Sequence, residues 1–393
     1  MEFFKKIKLF FKAFYKVPLL IPSWDEKELA DSLNNNPKDR DNLRNKIKEL
    51  YGVKYAFDFN LGRCAMQIAL RSFGLRKGDE VILSTYSCRG VIEPIIREGL
   101  KPVLVDIDNH FNISPESIEK NITKRTKVII MGHLYGYPAQ IDKILTVKKK
   151  YKLYLIDDAA QVVGLRYNNK MVGTFGDAGI LSFGIGKSIS ATGGGMLITN
   201  NKNIADVTNL NWLFSKEDTE DRSKDYWLEY YQRSKTAPFL LLANKFIKKE
   251  DWIIKRMSLI DCSLILKQLI KLQGLISFRR ITALTYHKCL DGNTSIEIPD
   301  VTDKSHIFTK YVIKLKPFEG NSREFSRFLR MNRIETEVNY QPLHLYSRYR
   351  KFKTSSLGDS EKIWEKVITI PCHHRMTYQN KLYVVKKINE CFK

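Results

Sequence analysis

The sequence predicts an α/β protein with a mostly parallel sheet flanked by helices, followed by a smaller C-terminal α+β domain. Through about residue 200, short apolar runs alternate with stretches of helical periodicity, as in sheets whose parallel strands are joined by helices. After about residue 255 the pattern changes to a long predicted helix over 258–284, strands near 308–315 and a helix near 322–331.

These changes of pattern predict three parts. We expect an N-terminal arm over 1–24, a large domain over 25–255 and a small domain over 256–393. A chain of 393 residues is long enough to bury the cores of two such domains.

The N-terminal arm has the pattern of a basic amphipathic helix. Bulky apolar side chains share one helical face, and lysines share the other: Phe3, Phe4, Ile7, Phe10, Phe11 and Phe14 against Lys5, Lys8, Lys12 and Lys16. Such a helix is too short and too charged to span a bilayer, but it suits an anionic membrane surface. One interpretation is therefore peripheral membrane contact through residues 2–17, and the other is packing of the arm on the body or on a partner subunit.

A glycine turn that opens a helix follows at Asn60-Leu61-Gly62-Arg63. The first backbone N–H groups of a helix and the positive end of its dipole attract a phosphate. The guanidinium of Arg63 could add a charge-assisted hydrogen bond. The turn is a candidate phosphate site.

Two carboxylates, Asp157 and Asp158, end the apolar run Leu153–Ile156. The run fits a buried parallel strand, and open α/β sheets bind ligands at the carboxyl ends of their strands. A carboxylate there could bind a metal, bind a ribose, pair with a protonated ring nitrogen or cap the next turn. No cluster of His or Cys accompanies the pair, so we predict no metal site.

A lysine between two apolar runs is the third candidate group. The stretch Ser182-Phe-Gly-Ile-Gly-Lys187 is followed by three consecutive glycines at 193–195 and the run Met196–Ile198. A lysine held beside small residues, where a flat ligand can approach, is a candidate Schiff-base lysine. Glycine-rich hairpins with a solvated lysine are the common alternative.

In these and other segments the chain resembles the DegT/DnrJ/EryC1/StrS family of fold-type I, pyridoxal-phosphate-dependent sugar aminotransferases. The similar segments run in family order, and the longest covers residues 155–199. The others are GRCAMQIAL (62–70), GDEVILSTYSC (78–88), GLKPVLVDID (99–108), GHLYGYPAQID (132–142), YQPLH (340–344) and IPCHHRMT (370–377). The resemblance implies the fold-type I architecture, with a seven-stranded type of sheet, and pyridoxal 5'-phosphate as cofactor.

The resemblance also implies roles for single residues. Lys187 matches the family's Schiff-base lysine, which also moves the proton between substrate and cofactor. Asp158 matches the aspartate at the pyridine nitrogen, Gln161 the glutamine near the ring hydroxyl, and Ser182 a serine at the phosphate. The cofactor-binding residues that we expect are Gly62, Arg63, Cys64, Cys88, Asp158, Gln161, Ser182 and Lys187.

At two positions the chain departs from the family pattern. Leu61-Gly62-Arg63 stands where Ser-Gly-Thr is common, so a guanidinium replaces one hydroxyl ligand of the phosphate. Cys88 stands where an aromatic side chain often stacks on the cofactor, with Tyr86 close by. The resemblance places the loop with Tyr340 and His344 near the mouth of the site, and these two are our expected substrate contacts.

Composition bounds the environment and the partners. The six cysteines show no paired metal spacing, which favours free thiols in a reducing cytoplasm: Cys64, Cys88, Cys262, Cys289, Cys372 and Cys391. The formal net charge of +23 attracts anions. Nucleotide diphosphates and anionic lipid both fit this charge; nucleic acid is not expected, because no recognised binding motif accompanies it.

Residues 209–251 are rich in aromatic and charged side chains, including Trp212, Phe214 and Trp227. Two interpretations remain for this segment: it shapes the acceptor-sugar pocket or covers a partner subunit, or it is a surface insertion.

The sequence therefore predicts a homodimeric aminotransferase that moves an amino group, from glutamate by family habit, to a nucleotide-linked keto-sugar. We expect a cytoplasmic protein, with the inner face of the membrane as a second location if the arm binds lipid. Retention of lysine at 187 favours amino transfer, since some relatives with histidine there are sugar dehydratases. The alternatives are a dehydratase or another carbanion reaction, and a membrane-surface scaffold without catalysis.

Overall fold

A computed structural model describes residues 15–219, 253–316 and 320–392. Its strands are β1 (Tyr55–Phe59), β2 (Glu80–Ser84), β3 (Lys101–Val105), β4 (Thr126–Gly132), β5 (Tyr154–Asp158), β6 (Arg166–Tyr167), β7 (Lys170–Met171), β8 (Ala178–Ser182), β9 (Gly195–Thr199), β10 (Ile296–Glu297), β11 (Tyr311–Leu315) and β12 (Val367–Ile370). Its α-helices are α1 (Glu26–Leu33), α2 (Asp39–Tyr51), α3 (Gly62–Ser72), α4 (Arg89–Arg97), α5 (Pro115–Lys120), α6 (Ile141–Tyr151), α7 (Lys202–Phe214), α8 (Leu259–Ile270), α9 (Leu272–Leu290), α10 (Ser322–Met331), α11 (Gly358–Trp364) and α12 (Tyr378–Cys391).

The predicted large sheet is confirmed. It has seven strands in the order β1-β9-β8-β5-β4-β2-β3. The pairs among β3, β2, β4, β5 and β8 are parallel, whereas β9 runs antiparallel to both of its neighbours. Its strands are almost wholly buried, as expected of a sheet covered by helices on both faces. The carboxyl ends of β2, β4, β5 and β8 therefore meet at one edge.

A smaller unit forms around the three-stranded antiparallel sheet β10-β11-β12. Its core combines these strands with apolar side chains from the second half of α9 and from α10 and α12, such as Tyr286, Leu329 and Val384. In contrast, α8 and the first half of α9 pack into the core of the large sheet through side chains such as Ile265 and Ile276. The domain boundary at 255/256 stays a prediction, and this packing favours a boundary further along the chain, within α9.

The single helix predicted over 258–284 is wrong in one respect. It consists of α8 and α9, which meet at Lys271. The backbone of Lys271 has φ −99° and ψ 6°, outside the helical region, so the regular hydrogen-bond series stops there and restarts. The Nζ of Lys271 lies 2.6 Å from both carboxylate oxygens of Glu28, which fixes this junction to α1.

The described part of the N-terminal arm crosses from the small unit to the loop that carries Lys187. Val17 forms a parallel bridge with Ile334, and the carbonyl of Pro18 accepts a hydrogen bond from His373 Nε2 at 3.0 Å. Leu20 lies so close to Gly186 that a Cβ at Gly186 would be 3.0 Å from the Leu20 side chain. Residues 1–14, which carry the predicted apolar face, lie outside the described residues. Within the described ranges, no helix is long and apolar enough to cross a membrane.

Candidate functional site

The candidate site is a pocket at the carboxyl edge of the seven-stranded sheet. The side chains that line it come from the ends of β2, β4 and β5, the start of α4 and the loop after β8; they include Ser84, Cys88, His133, Asp158, Gln161 and Lys187. The parallel strands thus bring together the Asp158, Gln161 and Lys187 side chains that the sequence singled out.

The two consecutive carboxylates at the end of β5 point to opposite faces, as adjacent strand residues must. Asp157 is fully buried, and both of its carboxylate oxygens have hydrogen-bond partners. One oxygen lies 2.7 Å from His133 Nε2, and the other accepts hydrogen bonds from the N–H groups of Gly173 and Phe175. Asp158 accepts one hydrogen bond, from the N–H of Ala160 at 3.1 Å, and lines the pocket. Burial raises the pKa of Asp158, and the charge of Lys187 opposes that rise.

Lys187 lies in the loop that joins β8 to β9, as predicted, and neighbouring helices hold this loop at several points. Gln268 of α8 bonds both backbone groups of Ser190, and Asp261 accepts a hydrogen bond from the N–H of Thr192. Arg279 of α9 donates to the carbonyl of Ser188 at 2.9 Å. A loop held in this way gives the lysine a defined position relative to the strand ends.

The Lys187 side chain is half-buried and opposite in charge to Asp158. Burial lowers the pKa of Lys187 below the usual lysine value, because it disfavours the charged form. The nearby ammonium of Lys310 lowers this pKa further, while Asp158 and Glu337 raise it. A lysine with a lowered pKa is a better nucleophile near neutral pH than an exposed one.

The start of α3 forms a cradle beside this pocket. Leu61 precedes the helix in an extended conformation without a side-chain cap, and the N–H of Cys64 donates to the carbonyl of Leu61 at 3.0 Å, so the positive end of the helix dipole faces this cradle. Gly62 faces Ser182: a Cβ at Gly62 would lie 3.0 Å from Ser182 Cβ and 3.1 Å from its Oγ. A Cβ at Gly195 would lie only 2.4 Å from the N and Cα atoms of Gly62. Two glycines thus allow β8, β9 and the helix start to approach closely around the hydroxyl of Ser182.

Arg63 and Cys88 lie between the starts of α3 and α4. Both are exposed, and a Cβ at Gly90 would be 3.4 Å from Cys88 Sγ and 3.8 Å from Arg63 Nε. Cys64 lies elsewhere, which corrects its predicted place in the pocket. Its thiol is buried in the core 3.8 Å from the carbonyl of Ile253, because the next position of the helix points inward, and burial raises its pKa to about 12.

Gln161 joins the pocket to a group of buried tyrosines. Its Oε1 accepts the N–H of Tyr135 at 3.1 Å, and its Nε2 donates to the hydroxyl of Tyr340 at 3.0 Å. Tyr86 also lines the pocket, and its hydroxyl lies 3.0 Å from that of Tyr135. Burial raises the pKa of Tyr340 well above its usual value, so this hydroxyl stays protonated at neutral pH.

His344 does not line this pocket, and its expected substrate contact stays a prediction. Its Nδ1 lies 2.7 Å from Thr85 Oγ1 and its Nε2 lies 2.8 Å from Glu361 Oε1. Both ring nitrogens are therefore occupied, and the side chain is buried. His344 attaches its loop to the residue after β2, which helps to place Tyr340.

The sequence did not point to a second charged pair near the pocket, Lys310 and Glu337. Lys310 Nζ lies 2.5 Å from Glu337 Oε2 and 5.9 Å from the ring centroid of Tyr340. An isolated lysine before a strand and an isolated glutamate before a loop give no pattern by which sequence alone could have paired them.

Only the start of the aromatic segment 209–251 lies among the described residues. Trp212 is partly buried and packs against the core of the large sheet. The guanidinium of Arg44 lies 3.8 Å from the Trp212 ring centroid, and that of Arg256 lies 5.0 Å from it. Phe214 at the end of α7 is 87% exposed. Residues 220–251, including Trp227, lie outside the described residues, so the predicted role of this segment stays a prediction.

Comparison with known proteins gives the same fold over nearly the whole chain. The aminotransferase PseC of Helicobacter pylori, involved in the biosynthesis of pseudoaminic acid, superposes with a TM-score of 0.81 at 24% identity and covers 95% of this chain and 98% of its own. The GDP-4-keto-6-deoxy-D-mannose-3-dehydratase of Escherichia coli, solved with bound hydrated PLP, gives 0.78 at 20% identity over 95% and 99% of the two chains. At these identities the likeness shows the fold alone.

Sequence similarity is more specific. The dTDP-3-amino-3,6-dideoxy-α-D-galactopyranose transaminase of Aneurinibacillus thermoaerophilus is 30% identical over 353 residues, which are 89% of each chain. The sequence profile of the DegT/DnrJ/EryC1/StrS aminotransferase family matches residues 27–389. The lysine and the aspartate share one pocket of this fold, and the glycine cradle lies beside it. The chain belongs to the DegT/DnrJ/EryC1/StrS aminotransferase family.

Proposed function

We propose that this protein is a pyridoxal-phosphate-dependent aminotransferase that moves an amino group from an amino-acid donor, glutamate first among them, to a nucleotide-linked keto-sugar. The product would serve polysaccharide or glycoconjugate biosynthesis. The observation that carries the proposal is the position of Lys187 opposite Asp158 in a pocket beside the start of α3. Similarity to a nucleotide-sugar transaminase over most of both chains supports the substrate class.

The residues present fit pyridoxal phosphate. The first N–H groups of α3 and the hydroxyl of Ser182 would hold the phosphate, with Arg63 close to the same helix start. The carboxylate of Asp158 would pair with the pyridine nitrogen, and Gln161 would lie near the ring hydroxyl. The bound cofactor supplies an electron sink for the pair of electrons left when the donor α-carbon loses its proton.

Lys187 has two tasks in this proposal. It first binds the cofactor through its Nζ, for which its lowered pKa is an advantage. The amine of Lys187 would also take the proton from the donor α-carbon and return it during the transfer, as general base and then general acid. The tyrosines around Gln161 and the small unit would exclude water from this proton transfer.

A second reaction class, sugar dehydration, is supported by the fold shared with a dehydratase. Lysine at position 187 favours amino transfer. The family resemblance implies histidine at this position in some of the relatives that are sugar dehydratases. Incubation of the holo-protein with glutamate and a nucleotide keto-sugar separates the two reactions. Amine product without loss of water supports the transaminase, and loss of water without amine supports the dehydratase.

Replacement of Lys187 by alanine should abolish covalent cofactor attachment and lower glutamate-dependent amine formation by about 10²–10⁴-fold, since the proton-transfer group is lost. The measurement combines the visible absorbance of the holo-protein with product analysis. Lys202→Ala, which removes an exposed lysine paired with Asp206, is the control and should retain full activity. If the wild-type protein takes up no cofactor, the result would instead support the alternative of a membrane-surface scaffold without catalysis.

Replacement of Gly195 by alanine should weaken the binding of pyridoxal phosphate by about 10–100-fold, because the added Cβ displaces Gly62 and costs charge-assisted hydrogen bonds to the phosphate. Pyridoxal, which lacks the phosphate, should lose little affinity. Gly274→Ala, in a helix where a Cβ meets nothing within 4 Å, is the matched control. An equal loss for both forms of the cofactor would place the phosphate elsewhere.

The homodimer and the cytoplasmic location stay predictions. For the arm, we propose contact with an anionic lipid surface, supported by the lysine and phenylalanine faces of its sequence. Deletion of residues 2–14, which leaves the bridge of Val17 in place, should lower recovery with floated phosphatidylglycerol vesicles several-fold but leave activity unchanged. Phosphatidylcholine vesicles are the control. Equal recovery of both proteins with the anionic vesicles would contradict membrane contact through this arm.

A further inference from the structure

Lys310 is a mostly buried cation close to the reactive lysine, and the mechanism above does not use it. Its side chain is 11% exposed, whereas that of its partner Glu337 is 39% exposed. We propose that Lys310 binds a carboxylate of the amino donor and that Glu337 holds Lys310 in place for this contact. The inference rests on the proposed function and assigns a residue to its first substrate.

The backbone around Lys310 is fixed to the pocket wall. The N–H of Lys310 donates to the carbonyl of Tyr135 at 3.2 Å. The neighbouring Thr309 hydroxyl donates to the carbonyl of Gln161 at 2.6 Å and lies 3.1 Å from the hydroxyl of Ser188, the residue after Lys187. The chain therefore delivers the Lys310 side chain from the small unit to a site adjoining the pocket.

The ammonium of Lys310 is close enough to the pocket to affect the pKa of Lys187. Its Nζ lies 5.9 Å from the ring centroid of Tyr340, whose hydroxyl bonds Gln161 in the pocket. Lys310 and Glu337 act on the pKa of Lys187 in opposite directions, as two charges near it must. Burial would raise the pKa of Glu337, but the charge and hydrogen bond of Lys310 outweigh it and lower that pKa, so the Glu337 carboxylate is ionised at neutral pH.

An amino-acid donor needs a cation in this region. The amine of the donor must come close to Lys187 Nζ, whose place it takes. The α-carboxylate is bonded to the carbon that carries this amine, so it also lies near Lys187. Arg63 lies near Gly90 and Cys88 at the start of α3, where the phosphate is proposed to bind.

Lys310 has the hydrogen-bonding capacity for this task. An ammonium has three N–H donors, and Glu337 is its only hydrogen-bond partner among the described residues. Two donors are thus left for a carboxylate. The pairing with Glu337 offsets the cost of keeping a buried cation while no donor is bound.

Binding of glutarate, an unreactive dicarboxylate, to the holo-protein tests this assignment by titration calorimetry without turnover. Lys310→Gln should weaken glutarate binding by about 10–100-fold through the loss of a charge-assisted hydrogen bond. Lys310→Arg keeps the charge and should bind glutarate within a few-fold of wild type. Lys314→Gln is the matched control, because Lys314 lies in β11 and forms an ion pair with Glu297 of β10; it should bind like wild type.

Glutaramide, which has the same shape without charge, should bind weakly and equally to wild type and Lys310→Gln. The proposal is overturned if wild type does not bind glutarate, or if Lys310→Gln binds it as wild type does while retaining its cofactor absorbance. If the Gln variant does not fold, the Arg variant decides: loss of glutarate binding despite the retained charge overturns the proposal. Glutarate binding that depends on Lys310, in a protein that forms no amino-sugar, supports the assignment and contradicts the proposed function.

Discussion

The opposition of Lys187 and Asp158 across one pocket is the constraint on which the rest of the site depends. A lysine and a carboxylate removed from water each cost free energy, and the cost falls when they face one another. The structure keeps them there by different means. Asp158 is fixed because its strand neighbour Asp157 is bonded to His133 and two backbone N–H groups. Lys187 is fixed because α8 and α9 hold the loop at three residues that follow it, Ser188, Ser190 and Thr192.

The small unit completes the site instead of only covering it. It brings Thr309, Lys310, Glu337 and Tyr340 to the pocket from two separate segments. Gln161 is the point of contact, since its side chain bonds both Tyr135 of the large sheet and Tyr340 of the small unit. This arrangement couples the proposed cofactor site to the position of the small unit, so a change at Tyr340 or Glu337 would reach the pocket without touching the sheet.

The sequence was sufficient for those parts of the site that depend on local patterns. An apolar run ending in Asp157-Asp158 predicts a strand end, and glycines around Lys187 predict a turn between strands; the structure has both. Cys64 and His344 show where local patterns stop. The helix whose start forms the glycine cradle also directs Cys64 into the core. Both ring nitrogens of His344 bind side chains of other elements, Thr85 and Glu361, which no local pattern marks.

The Lys310–Glu337 pair could not be predicted for the same physical reason. It forms only because the residue before β11 and the segment that bridges to β12 meet at the pocket. Neither residue belongs to a periodic or glycine-marked pattern. The position of this pair is thus set by tertiary contacts, whereas Asp158 and Lys187 are marked by local patterns in the sequence.

Reduction of the holo-protein with borohydride, followed by proteolysis and mass spectrometry, tests the central claim most directly. Borohydride converts the link between the cofactor and a lysine into a stable amine, so the modified residue can be identified. The account predicts a single pyridoxyl group on the peptide that contains Lys187. A cofactor group on Lys310 or on exposed lysines, with Lys187 unmodified, would contradict it.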